Sequence, residues 1–314
     1  MKKILIPVDG SIHSTDAMNY VVTVSPVLQE TIFSLFHVQP ILSDYIVEEA
    51  RKNPKAMEKL KQLYEDNEAR AKELLDRHKD HLIRSGVPGE RIEAQTRRRK
   101  EGTSKDIIQQ ALSGAADGIL IARRGLSKIQ DTLIGSTTRS IIDHNANIPV
   151  WVVDGEISSR NILVSVDGST SSKKALDYVL DLITKNPDVE LTLFHVQPSL
   201  KDYCEIDFTE AQEANENQED VAKIVEQANR QCIENFMQYA RQKISEKGID
   251  EDKLNFKTQS VRMNIGKAVI DEFRQGDYGT VVAGKRGIGN KFFMGSVSNY
   301  LITHLENGAL WIVP

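Results

Sequence analysis

The sequence predicts an α/β protein made of two tandem copies of one domain, each a five-stranded parallel sheet with helices on both faces. Three observations predict it. Short apolar, β-rich runs alternate with segments of helical spacing, the pattern that folds as right-handed crossovers around a parallel sheet. Whole blocks then recur in the same order: Ile4–Ser11 returns as Ile162–Ser169 and Leu35–Pro40 as Leu193–Pro198, each 158 residues later. Each half also carries a glycine-bearing loop between an apolar run and a helical segment, at Ala122–Ser136 and Gly284–Ser296. A chain of 314 residues is long enough for two domains of about 150. The repeat sets them at 1–154 and 161–314, with 155–160 as the seam.

The elements follow in order. Residues 2–8 are β-rich and stop at Asp9-Gly10-Ser11, where Ser11 or Asp9 can cap a helix over 14–28. Residues 31–38 form an apolar strand ending at Gln39-Pro40. The charged stretch 44–85, rich in Glu, Lys, Ala and Leu at helical spacing, predicts a long helix stopped by Gly86-Val87-Pro88-Gly89. A strand over 91–97, a helix over 103–113 and a strand over 118–122 come next, then a helix over 136–145 and a last strand at 149–153. The second half repeats the series, with its long helical segment at 209–247.

Composition narrows the function classes. A net charge of −5 and a pI near 5.9 argue against a dedicated nucleic-acid binder. No apolar run approaches the roughly 18 residues of a membrane helix. The start, MKKILIPVDG, breaks its apolar run at Pro7 and Asp9, so it reads as a first strand and not as a signal peptide. Cys204 and Cys232 suggest neither a disulfide framework nor a zinc site, which points to the cytoplasm. In parallel sheets ligands bind outside the carboxyl ends of the strands. Asp9, Val38 and Ala122 lie at such ends, as do Asp167, Val196 and Gly284, so each half is expected to form one crevice.

These residues carry a family likeness. PVDGS and SVDGS, LFHVQP twice, the glycine loops leading to GST and GSVS, and the closing IPVWVV and ALWIVP resemble the universal stress protein family in its tandem form. The resemblance covers essentially the whole chain. It implies Rossmann-like domains of the adenine nucleotide alpha hydrolase type that bind ATP without a P-loop, with ADP or AMP as alternatives and magnesium as a candidate companion. It also implies dimer-like pairing through the last strands, either as a homodimer or within the chain. In the first half the implied nucleotide site comprises Val8, Asp9, Val38, Ala122, Arg124, Gly125, Gly135, Ser136 and Thr137. In the second it comprises Val166, Asp167, Val196, Gly284, Arg286, Gly287, Gly295, Ser296 and Val297. By this analogy the aspartates meet adenine or ribose, and the valines at 38 and 196 offer backbone groups to adenine. Gly125 and Gly287 permit close approach, and the Gly-Ser pairs bind phosphate. Arg123, Arg124, Lys285 and Arg286 add positive charge.

Each half departs from the family spacing of Gly-x-x-Gly, nine residues, then Gly-Ser. Ala122 replaces the leading glycine of the first loop, and its methyl is expected to crowd the ribose. Only seven residues separate Gly287 from Gly295, which is expected to shift the second phosphate cradle by several ångströms, since a residue spans up to about 3.5 Å.

Plainer readings stand beside these. Asp9 and Asp167 serve equally as helix caps, and the Gly-Ser pairs as simple helix starts. His37 and His195 read as satisfied strand histidines in preference to metal ligands. The run Arg97–Lys100 reads as a solvated strand end, and both cysteines as ordinary thiols. Gly279–Lys285 imitates a P-loop, but Arg286 stands where a Ser or Thr should hold magnesium. The long charged helices suit packing over the sheet, a lid or a dimer surface. Function therefore divides three ways: a nucleotide-binding stress sensor or regulator with slow hydrolysis at most, an interaction module whose sites have degenerated, or an adenylate-forming enzyme. The last lacks the Ser-Gly-Gly-x-Asp-Ser loop expected of it.

Overall fold

A computed structural model describes residues 1–28, 30–124, 134–145, 147–183, 189–197, 214–260, 264–285 and 295–314. The chain divides into two compact units, Met1–Ile157 and Ser158–Pro314.

The first unit runs β1 (Lys2–Pro7), α1 (Ile12–Val24), β2 (Thr31–Gln39), α2 (Asp44–Arg51), α3 (Pro54–Arg84), β3 (Ile92–Arg98), α4 (Thr103–Ser113), β4 (Gly118–Ala122), α5 (Ser136–His144) and β5 (Val150–Asp154). The strands are parallel and lie in the order β3-β2-β1-β4-β5. The chain thus moves outward from β1 to β3, then returns to the other side of β1. That reversal leaves a crevice between β1 and β4 at the carboxyl ends of the strands. Ile4, Leu5 and Ile6 of β1, and all of β4, are buried, as expected of parallel strands covered on both faces.

Local chemistry sets the boundaries. Gly10 takes φ +77°, a left-handed turn that suits glycine. Ser11 caps α1, its Oγ accepting from the Ser14 amide at 3.3 Å, so the helix begins two residues before the sequence reading placed it. It also ends earlier, at Val24. There the Arg91 guanidinium takes the carbonyls of Ser25, Leu28 and Thr31 and fixes the turn leading into β2. The long helix expected over 44–85 is two helices. Asn53 precedes Pro54, which disfavours continuation at Asn53 but suits the first position of a new helix. Asn53 Oδ1 accepts from the Lys55 amide at 3.0 Å.

The second unit repeats the plan: β6 (Ile162–Val166), α6 (Thr170–Leu182), β7 (Leu191–Gln197), α7 (Ala214–Lys247), β8 (Leu254–Ser260), α8 (Ile265–Gln275), β9 (Thr280–Gly284), α9 (Ser296–His304) and β10 (Gly308–Val313). Its strands are parallel in the order β8-β7-β6-β9-β10, the same reversal about the first strand. Most of the P-loop imitation is therefore strand β9. Residues 209–213 of the expected long helix lie outside the described residues, as do Gly125, Arg286, Gly287 and Cys204.

Candidate functional site

In the first unit the strand ends enclose a cavity of about 370 Å³. The ends of β1 and β2 supply Val8, Asp9 and Val38, and the end of β4 supplies Ala122 and Arg124. Gly135, Ser136 and Thr137 enter from the start of α5. All eight described residues that the sequence reading placed in this site line one cavity. The ninth, Gly125, lies outside the described residues.

The walls are fixed by short hydrogen bonds. Asp9 Oδ1 accepts from the Ser11 amide at 3.0 Å and from Ser14 Oγ at 2.8 Å, and Ser14 Oγ in turn accepts from the Asp9 amide at 3.1 Å. Ser11 is therefore the cap of α1, and Asp9 organises the turn before it. At the other wall, the Gly135 amide donates to the Arg123 carbonyl at 2.8 Å, and Thr138 Oγ1 donates to the Ala122 carbonyl at 2.9 Å. The helix start is thereby tied to the strand end. Gly135 has no side chain to cap α5, so among the described residues no side chain of the cap position takes the first-turn amides, which can meet an anion.

The second unit closes its loop in the same way. The Gly295 amide donates to the Lys285 carbonyl at 2.9 Å, and Ser298 Oγ to the Gly284 carbonyl at 2.7 Å. The expected shift of its phosphate cradle does not extend to the loop ends. The two loops are tied by matching hydrogen bonds at their described ends, and these bonds lie outside the spacers. Gly284 has a packing reason to be glycine, since a Cβ there would stand 2.7 Å from Ser171 Cβ. Val166, Asp167 and Val196 sit at the ends of β6 and β7, and Gly295, Ser296 and Val297 at the start of α9. Asp167 Oδ1 accepts from the Ser169 amide at 3.0 Å, repeating the Asp9 turn.

Arg123 corrects the sequence reading. It was expected to add charge near phosphate, but it is 2% exposed and its Nη1 bonds Asp154 Oδ2 at 3.1 Å. An arginine at the last turn of a buried strand is desolvated, and a carboxylate on the neighbouring strand satisfies it. Arg124 is the exposed one of the pair and lines the cavity.

The histidines are bonded within the fold. His37 Nδ1 lies 2.7 Å from the Val8 carbonyl and His195 Nδ1 2.9 Å from that of Val166. His195 is 2% exposed, and Asn229 Nδ2 faces its Nε2 at 3.2 Å. Burial lowers its pKa below the usual histidine value, and the contacts with Val166, Asp167 and Asn229 oppose that shift. Among the described residues no three His, Cys, Asp or Glu side chains gather as a metal site, and no helix is long and apolar enough to cross a membrane.

Sequence reasoning missed other parts of the wall: Ser14, Phe36, Pro40, Arg99, Thr103, Ile107 and Thr138. Arg99 belongs to the basic run that the sequence reads as a solvated strand end, and it lines the cavity instead. Thr138 had a readable signal, since Ser298 stands at its place in the other copy and the two hydroxyls make the same bond.

The family model for universal stress proteins matches residues 1–154 and again 158–312. The chain belongs to that family. Its tandem form is shared with a universal stress protein from Archaeoglobus fulgidus DSM 4304, 18% identical, which covers 99% of this chain and 97% of its own, with a TM-score of 0.62. A functionally unknown protein from Pseudomonas aeruginosa PAO1 is 11% identical, covering 100% of this chain and 92% of its own at a TM-score of 0.55. A universal stress protein from Archaeoglobus fulgidus solved in complex with dAMP is 18% identical over 49% of this chain and 98% of its own, with a TM-score of 0.34. A comparison with curated proteins found no match. The two full-length likenesses bear on the fold of this family member alone.

Proposed function

We propose that the first unit binds an adenine nucleotide, ATP before ADP or AMP, and that the protein acts as a cytoplasmic nucleotide-responsive regulator in stress. The observation that carries this reading is the single cavity lined by Val8, Asp9, Val38, Ala122, Arg124, Gly135, Ser136 and Thr137. In its support, the uncapped start of α5, the Ser136 and Thr137 hydroxyls and Arg124 form a phosphate-binding end. Apolar Phe36, Val38 and Ile107 offer a face for a flat base at the other. Magnesium would be held chiefly through the phosphates, with the hydroxyls of Ser136 and Thr137 in the same wall as candidate protein ligands. Asp9 is committed to its turn, so hydrolysis is expected to be slow or absent, and the nucleotide acts as a ligand and not as a substrate. The second unit keeps the Val and Asp residues of its first two strand ends, has Gly284 where the first has Ala122, and ties its loop by the matching hydrogen bonds; it is proposed as a second, weaker site.

Gly135→Val tests the reading. It places a branched side chain where the phosphate would meet backbone, and should lower ATP affinity at least about tenfold in a calorimetric titration. Unchanged affinity and stoichiometry in that variant would remove the first cavity as the nucleotide site.

A further inference from the structure

The cavity of the first unit has a second charged side that a single phosphate chain leaves unused. Five arginines stand at the carboxyl ends of β3 and β4, and the protein itself employs three of them. Arg97 donates to the Asp106 carbonyl at 3.3 Å and lies over the Phe36 ring at 5.9 Å. Arg98 lies over the Tyr64 ring at 4.5 Å, and Arg123 pairs with Asp154. The remaining two, Arg99 and Arg124, are the ones that line the cavity. Among the described residues neither guanidinium has an ion-pair partner.

The backbone that carries Arg99 is held in place. The Arg99 amide donates to the Gln39 carbonyl at 3.0 Å. The next two amides, of Lys100 and Glu101, donate to the Asp106 carboxylate at 2.7 and 3.2 Å, and Asp106 is 1% exposed. In the order β3-β2-β1-β4, the strands bearing Arg99 and Arg124 stand three spacings apart, about 14 Å. The two cations therefore reach the cavity from opposite sides. A phosphate chain at the start of α5 stays on the β4 side with Arg124. Arg99 and Thr103, which both line the cavity, belong to the β3 side left to the ribose and base.

The second unit differs in sequence at the matching place, where residues 261–263 lie outside the described residues. Aligning β8 and α8 on β3 and α4 puts Val261 at the position of Arg99 and Ile265 at that of Thr103. Asn264 replaces Gly102, and its Oδ1 accepts from the Lys267 amide at 3.1 Å, closing by its own side chain a helix start that the first unit leaves open.

We propose that Arg99 and Thr103 form a second phosphate subsite, so that the first unit prefers a nucleotide phosphorylated at two separate ribose positions, such as a nucleoside 3′,5′-bisphosphate. The inference rests on the nucleotide reading above and goes beyond it in naming the ligand class. A guanidinium and a hydroxyl beside a ribose match a phosphate on its far hydroxyl, because arginine offers only donors and binds phosphate with two of them.

The test titrates the full chain with AMP, GMP, ADP and adenosine 3′,5′-bisphosphate. The last two carry equal numbers of phosphates, so their difference reports placement. The bisphosphate should bind at least about tenfold more tightly than ADP. In Arg99→Gln and in Arg99→Val, which copies the second unit's sequence, that gap should close to about twofold or less, the loss of affinity being far larger for the bisphosphate than for AMP or ADP. Arg99 is exposed, so both variants should fold. Binding of AMP without preference for the bisphosphate, or a preference that survives both substitutions, overturns the subsite and leaves the nucleotide reading standing. A preference for GMP over AMP that Arg99→Gln abolishes assigns Arg99 to the base edge and also overturns it. Silence toward every nucleotide overturns both readings.

Discussion

Gly284 and Ala122 occupy matching strand ends, yet they answer to different neighbours. At Gly284 a methyl would meet Ser171 in the first turn of α6, so Gly284→Ala should cost roughly 1–3 kcal/mol by overpacking, read as a lower urea midpoint. Arg91 is a residue of the opposite kind, one side chain serving three carbonyls and lying 5.3 Å from the Phe33 ring centroid. Arg91→Ala should destabilise the chain by about 2 kcal/mol, since it leaves carbonyls at the end of α1 without their partner. His195 predicts a pH dependence. Its folded pKa is depressed chiefly by burial, so as pH falls through about 6.5 the unfolded chain takes up a proton that the folded chain refuses. Stability should therefore decline with acidification below that point, until the folded pKa is reached. His78, also lowered first by burial and then by His81 and Arg77, adds in the same direction. Replacing His195 by Gln should flatten, without abolishing, the slope of unfolding free energy between about pH 7 and 5. An unchanged slope would show that His195 titrates alike in both states.

At the scale of elements, the strands were legible because each is a short apolar run closed by a turn signal, and the helix limits were less so. The break at Asn53-Pro54 was there to be read, but the sustained Glu, Lys and Leu spacing of 44–85 outweighed one proline. The early end of α1 was not legible, because its cause is Arg91, far along the chain and visible only once β3 lies beside β2. The two loops show the same limit. Counting spacer residues suggests a displaced cradle in the second unit; that spacer lies outside the described residues, and the amide of Gly295 and the hydroxyl of Ser298 hold the loop's end as Gly135 and Thr138 hold the first. Removing an anchor should therefore matter more than shortening a spacer. Thr138→Ala should lower stability by about 1 kcal/mol through the buried Ala122 carbonyl, and should weaken ATP binding by loosening the start of α5. A variant that melts and binds like the parent would remove the anchor from the account.

Over the whole molecule, duplication made most of the fold readable, since any element seen once could be checked against its copy. It made less of the site readable. The residues common to both copies, Asp9 and Asp167 or Gly135 and Gly295, stood out at once, while Arg99, where the copies differ, was discounted as part of a charged run. The differences between copies are where the two units should diverge in ligand, so binding should be graded and not equal between them. Titration of the nucleotide-stripped full chain with ATP by calorimetry tests the central claim most directly. The account predicts one site that Gly135→Val abolishes, with a second, weaker site that it spares and Gly295→Val removes. Heat of binding that Gly135→Val leaves intact, or none with ATP, ADP and AMP alike, would contradict it.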